Sequence, residues 1–200
     1  ADIIGVSASG NFTETEKYIL SLGKKFTGYT CDFSDRKSLY GFISKVKNTF
    51  PIINILINNA GKAGTAVFVS SDPEYVDERI MLNVRALALL CRLFLPKLMT
   101  FSRAYILNVG SLSAFFPVPF KSVYAASKVF VVQFSKAIRA ELKNTGVTVS
   151  VVCPNGVRTN SGTNYRIDSH GWAGRVTEMS AEKVAAISIA AALKGKKVII

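Results

Sequence analysis

The 200-residue sequence has no long apolar run, a single histidine and no closely spaced cysteines. No uninterrupted stretch reaches the roughly 18 apolar residues of a transmembrane helix, which argues against a membrane partner. Cys31, Cys91 and Cys153 are odd in number and far apart, so no disulfide framework is expected. With His170 as the only histidine, a metal site is equally unsupported. These absences favour a reducing, cytoplasmic setting.

The charge is strongly one-sided, with 25 Lys and Arg against 13 Asp and Glu and a net charge of +12. The basic residues are nevertheless dispersed, and no helix carries a dense basic stripe. We therefore expect a solvated basic surface rather than a nucleic-acid site. Such a surface favours anionic ligands, including a phosphate-bearing cofactor.

Short apolar segments alternate with amphipathic ones, without internal repeats or linkers, and this predicts a parallel, doubly wound α/β sheet in a single domain. The third apolar segment is apolar except for Asn54, which is typical of a strand buried on both faces. The predicted strands are Ile3–Ser7, Phe26–Cys31, Ile52–Ile57, Ala104–Val109, Val147–Cys153 and Lys197–Ile200.

The predicted helices have recognisable first residues. Thr13 and Glu16 form a capping-box pattern, Ser34 precedes the second helix, and Asp72-Pro73 supplies an N-cap followed by proline at the first helical position. The helices are expected at 13–22, 34–50, 73–99, 122–144 and 180–193.

Tyr124 and Lys128 are spaced i and i+4 in one of these helices and therefore share a face. A nearby ammonium favours the phenolate, so this pair could bring the phenol pKa from about 10 toward neutrality, which requires roughly 4 kcal/mol. Taken alone, the pair is common and can be an ordinary feature of a helix surface. Ser111 lies 13 residues before Tyr124 and strengthens the catalytic interpretation.

Further polar motifs follow the predicted strands, at the sheet edge where open α/β sheets bind ligands. With Asp32, Asn83 and the Ser111, Tyr124 and Lys128 set, the chain resembles the short-chain dehydrogenase/reductase family over nearly its whole length. The other matching motifs are Asn58-Asn59-Ala60-Gly61 and the turn Pro154–Thr159.

The resemblance implies a Rossmann-like fold and assigns four catalytic roles. Tyr124 would be the general acid/base, and Ser111 would hydrogen-bond the substrate oxygen. Lys128 would lower the pKa of Tyr124 and hold the nicotinamide ribose. Asn83 would anchor a water that passes protons to Lys128, or else be a helix residue with only local hydrogen bonds.

The same resemblance assigns the cofactor contacts, which also include Tyr124 and Lys128. Asp32 would accept from the adenine amino group, or else only help to cap a helix. Asn59, Ala60 and Gly61 would let the backbone approach the adenosine, and Val157 and Thr159 would meet the carboxamide. Both of these segments could also be ordinary turns.

The family's Gly-x-x-x-Gly-x-Gly loop and its central first strand have no counterpart in residues 1–200. We therefore expect an NAD(P)-binding domain that is incomplete at its N-terminus and also short at its C-terminus. The segment Gly5–Gly10 offers no carboxylate for an adenosine ribose, which slightly favours NADP(H) over NAD(H).

The resulting hypothesis is an NAD(P)-dependent oxidoreductase that interconverts a secondary alcohol and a ketone. The alternative is a non-catalytic binding or regulatory protein with the same fold. The aromatic segment Phe115–Phe120 could form an apolar pocket wall or simply core packing. Helices 73–99 and 122–144 carry more apolar residues than one sheet face needs, namely Leu87, Leu90, Phe94, Phe130 and Phe134. With the resemblance, this predicts a homodimer or homotetramer formed through these helices; the alternative is a monomer in which further C-terminal residues cover the surplus.

Overall fold

In the computed structural model the chain is described for residues 1–155, 157–158 and 179–200. These fall into two compact units, Ala1–Ile52 and Ile53–Ile200. The first unit has two parallel strands with Ile3 opposite Phe26, and its hydrophobic side chains include Leu39, Ile43 and Val46 of the second helix. Its elements are β1 (Ile3–Ser7), α1 (Thr13–Ser21), β2 (Phe26–Thr30) and α2 (Arg36–Thr49).

Both helices of the first unit start differently from the prediction. The N-cap of α1 is Phe12, which makes no side-chain cap bond, so the capping box predicted from Thr13 and Glu16 is wrong. The Thr13 N–H donates instead to Asn11 Oδ1 at 3.4 Å, and Thr13 is already helical. Helix α2 is capped by Asp35, whose carboxylate accepts from the Ser38 N–H at 2.6 Å, rather than by Ser34.

The second unit contains a four-stranded sheet with all neighbours parallel. In space the strand order is β3-β4-β5-β8, and a separate short pair joins β6 and β7. The strands are β3 (Ile55–Asn58), β4 (Ala104–Val109), β5 (Val147–Val152), β6 (Val157–Arg158), β7 (Met179–Ser180) and β8 (Val198–Ile199). The helices described there are α3 (Pro73–Ile80), α4 (Leu87–Leu98), α5 (Ser122–Glu141) and α6 (Ala181–Leu193).

Helices cover both faces of this sheet, because successive side chains of β4 point to opposite faces and contact different helices. Asn108 points toward α5, where its amide donates to Ser135 Oγ at 2.8 Å. Its neighbour Leu107 points to the other face and packs in a cluster with Ala191 and Ala192 of α6. The sheet is therefore doubly wound, as the alternating sequence pattern predicted.

Strand β3 is less buried than expected, and the prediction of burial on both faces is wrong. Ile55 and Ile57 are 40% and 47% exposed, whereas Asn58 is buried. The strand is also shorter than predicted, because Ile52 to Asn54 are not in the ladder. Ile55 and Ile57 lie on the same face of β3, so the described residues leave this face largely uncovered.

The predicted helix 73–99 forms, but it contains a π-helical turn. Asp72 caps α3 through the Glu74 N–H at 2.9 Å, with Pro73 at the first position. The π-helical turn Met81–Ala86 then joins α3 to α4. Such turns are rare and often found at functional sites.

A row of buried polar groups runs across the sheet near the carboxyl ends of β3 and β4. Asn58 Nδ2 donates to Asn108 Oδ1 at 2.8 Å and lies 3.2 Å from Cys91 Sγ. Asn108 continues the row to Ser135, whose hydroxyl donates to the Val131 carbonyl at 2.6 Å. These bonds hold the carboxyl ends of β3 and β4 to α5 in a fixed register.

None of the described helices is long and apolar enough to cross a membrane. Within the described ranges, no group of three His, Cys, Asp or Glu side chains is arranged to hold a metal ion. All three cysteines are unpaired and buried. Burial raises the pKa of the Cys91 thiol to about 12, and the hydrogen bonds that Cys91 makes with Asn58 and Asn108 act in the opposite direction.

Candidate active site

The predicted catalytic motifs gather at one edge of the four-stranded sheet. Asn58 at the end of β3 lies opposite Asn108, and Val109 at the end of β4 lies opposite Val152 of β5. Because the strands are parallel, the loops that follow them leave the same edge. Ligands of open α/β sheets bind outside these carboxyl ends.

Tyr124 and Lys128 occupy successive turns of α5, as their spacing predicted. The Lys128 ammonium nitrogen lies 5.7 Å from the centroid of the Tyr124 ring. It donates to the Val109 carbonyl at 2.8 Å, which ties α5 to the end of β4. Lys128 is only 6% exposed, so its charge lies inside the protein next to the phenol.

Burial lowers the pKa of the Lys128 ammonium to about 8, mainly because the charged form loses its hydration. The nearby Cys153 acts in the opposite direction and raises this pKa. With a pKa of about 8, the group is mostly protonated at neutral pH. It can therefore act as a cation on Tyr124, and it is close enough to neutrality to exchange protons.

Asn83 is buried and lies in the π-helical turn, where its amide links two other segments. Its Oδ1 accepts from the Lys62 N–H at 2.9 Å, and its Nδ2 donates to the Lys62 carbonyl at 3.0 Å. Nδ2 also donates to Ser127 Oγ at 3.1 Å, and Ser127 in turn donates to the Tyr124 carbonyl at 2.7 Å. Asn83 thus joins distant segments, and the alternative of purely local hydrogen bonds is wrong.

Ser111 follows β4 in an extended conformation and caps the short 3-10 turn Leu112–Ala114. Its hydroxyl oxygen accepts from the Ser113 N–H at 3.2 Å and from the Ser113 hydroxyl at 2.9 Å. With both bonds received at the oxygen, the Ser111 hydrogen is the part of the group left to donate. The Leu112 N–H donates to the Pro154 carbonyl at 3.1 Å and so connects this turn to the loop after β5.

The loop after β3 brings exposed, small residues against the buried polar groups. Asn59, Ala60 and Gly61 are all exposed. A Cβ atom built on Gly61 would lie 3.1 Å from Asn83 Oδ1 and 3.6 Å from Lys128 Nζ. The backbone of this loop therefore runs directly past the Lys128 ammonium, at a distance that leaves little room for a side chain at residue 61.

The other predicted cofactor contacts are Asp32, Val157 and Thr159, and the structure gives less information about them. Asp32 belongs to the first unit, where its carboxylate accepts from the Ser34 N–H at 2.8 Å and the Ser34 hydroxyl at 2.6 Å. These bonds shape the turn before α2, although the helix cap itself is Asp35. Val157 lies in β6, and Thr159 lies outside the described residues.

Sequence reasoning missed two residues that hold these motifs in place. Ser127 stands between Tyr124 and Lys128 and is almost fully buried, and its position inside the Tyr-x-x-x-Lys motif could have pointed to it. Arg79 is also buried, and its Nη2 donates to the Ala63 carbonyl at 2.9 Å. Its spacing of four residues from Asn83 was the available signal.

Comparison with known proteins agrees with this geometry. The profile of the family described as short chain dehydrogenase matches residues 3–170. The chain belongs to the short-chain dehydrogenase/reductase family. This membership confirms the predicted Rossmann-like α/β fold and the prediction of an NAD(P)-dependent oxidoreductase of this family.

Two curated relatives and one solved structure illustrate the likeness. The chain is 36% identical to 2-dehydro-3-deoxy-D-gluconate 5-dehydrogenase of Pseudoalteromonas atlantica over 84% of its length and 67% of the relative's. It is 30% identical to a ketoacyl reductase of Nostoc sp., over 98% of its length and 68% of the relative's. The short-chain dehydrogenase from Sphingobium yanoikuyae in complex with NADPH aligns with a TM-score of 0.86 at 25% identity, over all of this chain and 77% of that one.

Proposed function

We propose that this protein interconverts a secondary alcohol and a ketone by hydride transfer, with Tyr124 as the acid/base. The observation that carries the proposal is the buried Lys128 ammonium, which lies on the same face of α5 as the Tyr124 ring, 5.7 Å from its centroid. In such a low-dielectric site, a cation favours the phenolate and makes a tyrosine useful near neutral pH.

Each step of ketone reduction is proposed to use one of the described side chains. When bound, NAD(P)H would supply the hydride for the carbonyl carbon. Tyr124 donates its hydroxyl proton to the oxygen on which negative charge develops. Ser111 donates a hydrogen bond to the same oxygen, since the two bonds from Ser113 orient its hydroxyl. Lys128 stabilises the phenolate left after proton transfer, and oxidation of the alcohol runs these steps in reverse.

The residues after β3 and on α5 fit the ribose and adenosine parts of a nicotinamide cofactor, whereas the family's glycine-rich phosphate loop has no counterpart in residues 1–200. The exposed segment Asn59–Gly61 would support the adenosine side, while Lys128 would hold the ribose next to the hydride-bearing ring. Asp32, Val157 and Thr159 complete the proposed contacts. NADP(H) is slightly favoured, because Gly5–Gly10 carries no carboxylate and the net charge is +12.

The segment between Ser111 and Tyr124 favours a substrate with an apolar substituent. Phe115, Phe116 and Phe120 are 46%, 55% and 60% exposed, so the alternative of core packing is wrong for these three rings. Phe120 has a φ of +62°, and its carbonyl accepts from the Ala66 N–H at 2.8 Å. A bulky residue in this conformation is strained, and such strain is found preferentially at functional sites.

We also propose a homodimer or homotetramer that uses helices 73–99 and 122–144. Leu87, Leu90 and Phe94 do not contribute to this surface, because they are buried within this chain. On α5, the rings of Phe130 and Phe134 stack at 5.3 Å and are only partly buried. These two rings are the surface through which a second copy would pair.

A ketone-reduction assay with matched variants tests the chemistry. NADPH oxidation is followed at 340 nm with a panel of apolar ketones, for the wild-type protein and for Tyr124→Phe. The variant should keep the wild-type melting temperature and lose about 10²–10⁴-fold in kcat/KM, since it lacks only the acid/base hydroxyl. Tyr105→Phe, on β4, is the matched control. Wild-type activity in Tyr124→Phe would refute the role of Tyr124, and cofactor binding without turnover of any ketone would favour a non-catalytic binding protein.

A further inference from the structure

Three side chains four residues apart, Tyr75, Arg79 and Asn83, form one stripe along α3 and the π-helical turn. Residues at this spacing lie on the same helix face. Asn83 holds both backbone groups of Lys62, as described above. One turn earlier, Arg79 Nη2 donates to the Ala63 carbonyl at 2.9 Å. Three consecutive peptide units of the loop after β3, from Gly61 to Gly64, are thus bound by one stripe.

Arg79 is itself held in a single orientation. Its Nη1 donates to the Tyr75 carbonyl at 2.8 Å, and its guanidinium carbon lies 3.3 Å from the centroid of the Tyr75 ring. It is 8% exposed, and its Nε has no hydrogen-bond partner among the described residues. A buried, incompletely paired guanidinium costs stability, so its bond to the loop points to a role in positioning.

Gly64 shows how closely the loop approaches this stripe. A Cβ atom at residue 64 would lie 2.5 Å from Arg79 Nη2 and 2.7 Å from the Tyr75 hydroxyl oxygen. Any other residue at this position would require the loop, the Arg79 guanidinium or the Tyr75 hydroxyl to shift. The exposed ion pair between Lys62 and Glu78, at 2.8 Å, adds a weaker contact between the same segments.

We propose that Arg79 is a positioning residue for the cofactor, acting through the loop Gly61–Gly64. By holding Ala63 while Asn83 holds Lys62, it keeps the Gly61 backbone beside Lys128 Nζ, where the proposed cofactor passes. This inference rests on the proposed function, because Gly61 and Lys128 are cofactor contacts only if the protein binds NAD(P). Arg79 touches neither cofactor nor substrate, so its effect is on cofactor affinity more than on the chemical step.

The first test compares Arg79→Met with Arg79→Lys in the intact protein. NADPH dissociation constants are measured by fluorescence titration, together with kcat and the melting temperature. We expect Arg79→Met to raise the dissociation constant about tenfold, as expected for one lost charged hydrogen bond, with a smaller change in kcat. Lysine can reach one carbonyl and should restore part of the affinity. Arg92 is an exposed arginine on α4, and Arg92→Met is the control. It should leave the dissociation constant, kcat and the melting temperature unchanged.

The second test uses the close contact at Gly64. Gly64→Ala should weaken NADPH binding in the wild-type background, because the new methyl group forces the loop and the Arg79 guanidinium apart, whichever of the two moves. In the Arg79→Met background the same substitution should raise the NADPH dissociation constant by a distinctly smaller factor, since the two changes act on one contact. Additive effects would overturn the proposal.

The outcomes separate this inference from the function on which it rests. If the wild-type protein binds no NAD(P)H, the proposed function fails and the positioning role fails with it. If the wild type binds NADPH and Arg79→Met binds it equally well while melting at a lower temperature, the residue is merely structural. In that case only the positioning role is refuted.

Discussion

Replacing Lys128 with methionine should change how stability depends on pH. In the folded protein burial lowers the Lys128 pKa to about 8, whereas its ordinary value is 10.5. A difference of about 2.5 at about 1.4 kcal/mol per pH unit corresponds to roughly 3 kcal/mol. Below pH 8 the folded protein bears this desolvation cost, because the ammonium is charged and buried.

The sign follows from counting protons. Between pH 8 and 10.5 the folded protein has lost the Lys128 proton, while the unfolded chain still binds it. Stability rises with pH wherever the unfolded state binds more protons. The wild-type protein should therefore gain roughly 3 kcal/mol across this window relative to Lys128→Met. The variant also loses the hydrogen bond to the Val109 carbonyl. This loss lowers its free energy of unfolding by about 1–3 kcal/mol, by nearly the same amount at every pH.

Urea unfolding of both proteins at several pH values between 7 and 10.5 measures this difference. Both proteins carry Tyr124→Phe in this comparison, because Lys128 acts on the Tyr124 phenol; contributions from groups remote from Lys128 are common to both chains and cancel. Lys143→Met, at an exposed position, is the control and should follow the wild-type curve. If the curves of wild type and Lys128→Met stay parallel to within about 0.5 kcal/mol, Lys128 is not desolvated and the argument from burial fails.

Three further predictions concern cofactor, substrate and assembly. NADPH should bind more tightly than NADH, and a fluorescence titration giving NADH the lower dissociation constant would contradict this preference. Phe120→Asn should relieve backbone strain yet lower kcat/KM for bulky apolar ketones by about tenfold or more, through lost apolar contact, with little effect on small ketones. Met99→Asn, exposed near the amino end of β4, is its control, and equal losses for both ketone classes would refute a specificity role. Light scattering at micromolar concentration should show a dimer or tetramer that Phe134→Glu converts to a monomer; a monomeric wild-type protein would refute the assembly.

Local signals in the sequence predicted local structure well where no competing partner was nearby. Asp72 and Pro73 start α3 because an N-cap carboxylate and a fixed proline φ need only the adjacent residues. The capping box at Thr13 failed because Asn11 supplies an acceptor to the Thr13 N–H and the helix begins one residue earlier. Which acceptor the Thr13 N–H binds depends on the backbone geometry around Asn11, and a four-residue sequence pattern does not contain that geometry.

The apolar run 52–57 predicted a strand correctly but not its surroundings. Periodicity and composition report what a segment can bury, while the tertiary structure decides what covers each face. Ile55 and Ile57 share one face of β3, and the described residues leave this face largely exposed. The same limit applies to Leu87, Leu90 and Phe94, which looked like an interface and are core residues.

The sequence by itself determined the alternating α/β pattern and the family, and it predicted the catalytic set, since spacing alone puts Tyr124 and Lys128 on one helix face. Only the tertiary structure decided what surrounds that face. It buries Lys128 against the Val109 carbonyl, which brings its pKa to about 8, and it places Arg79 over the Ala63 carbonyl. The reason is physical: desolvation and hydrogen bonds depend on distances between residues that are remote in the chain, and only the folded protein sets those distances.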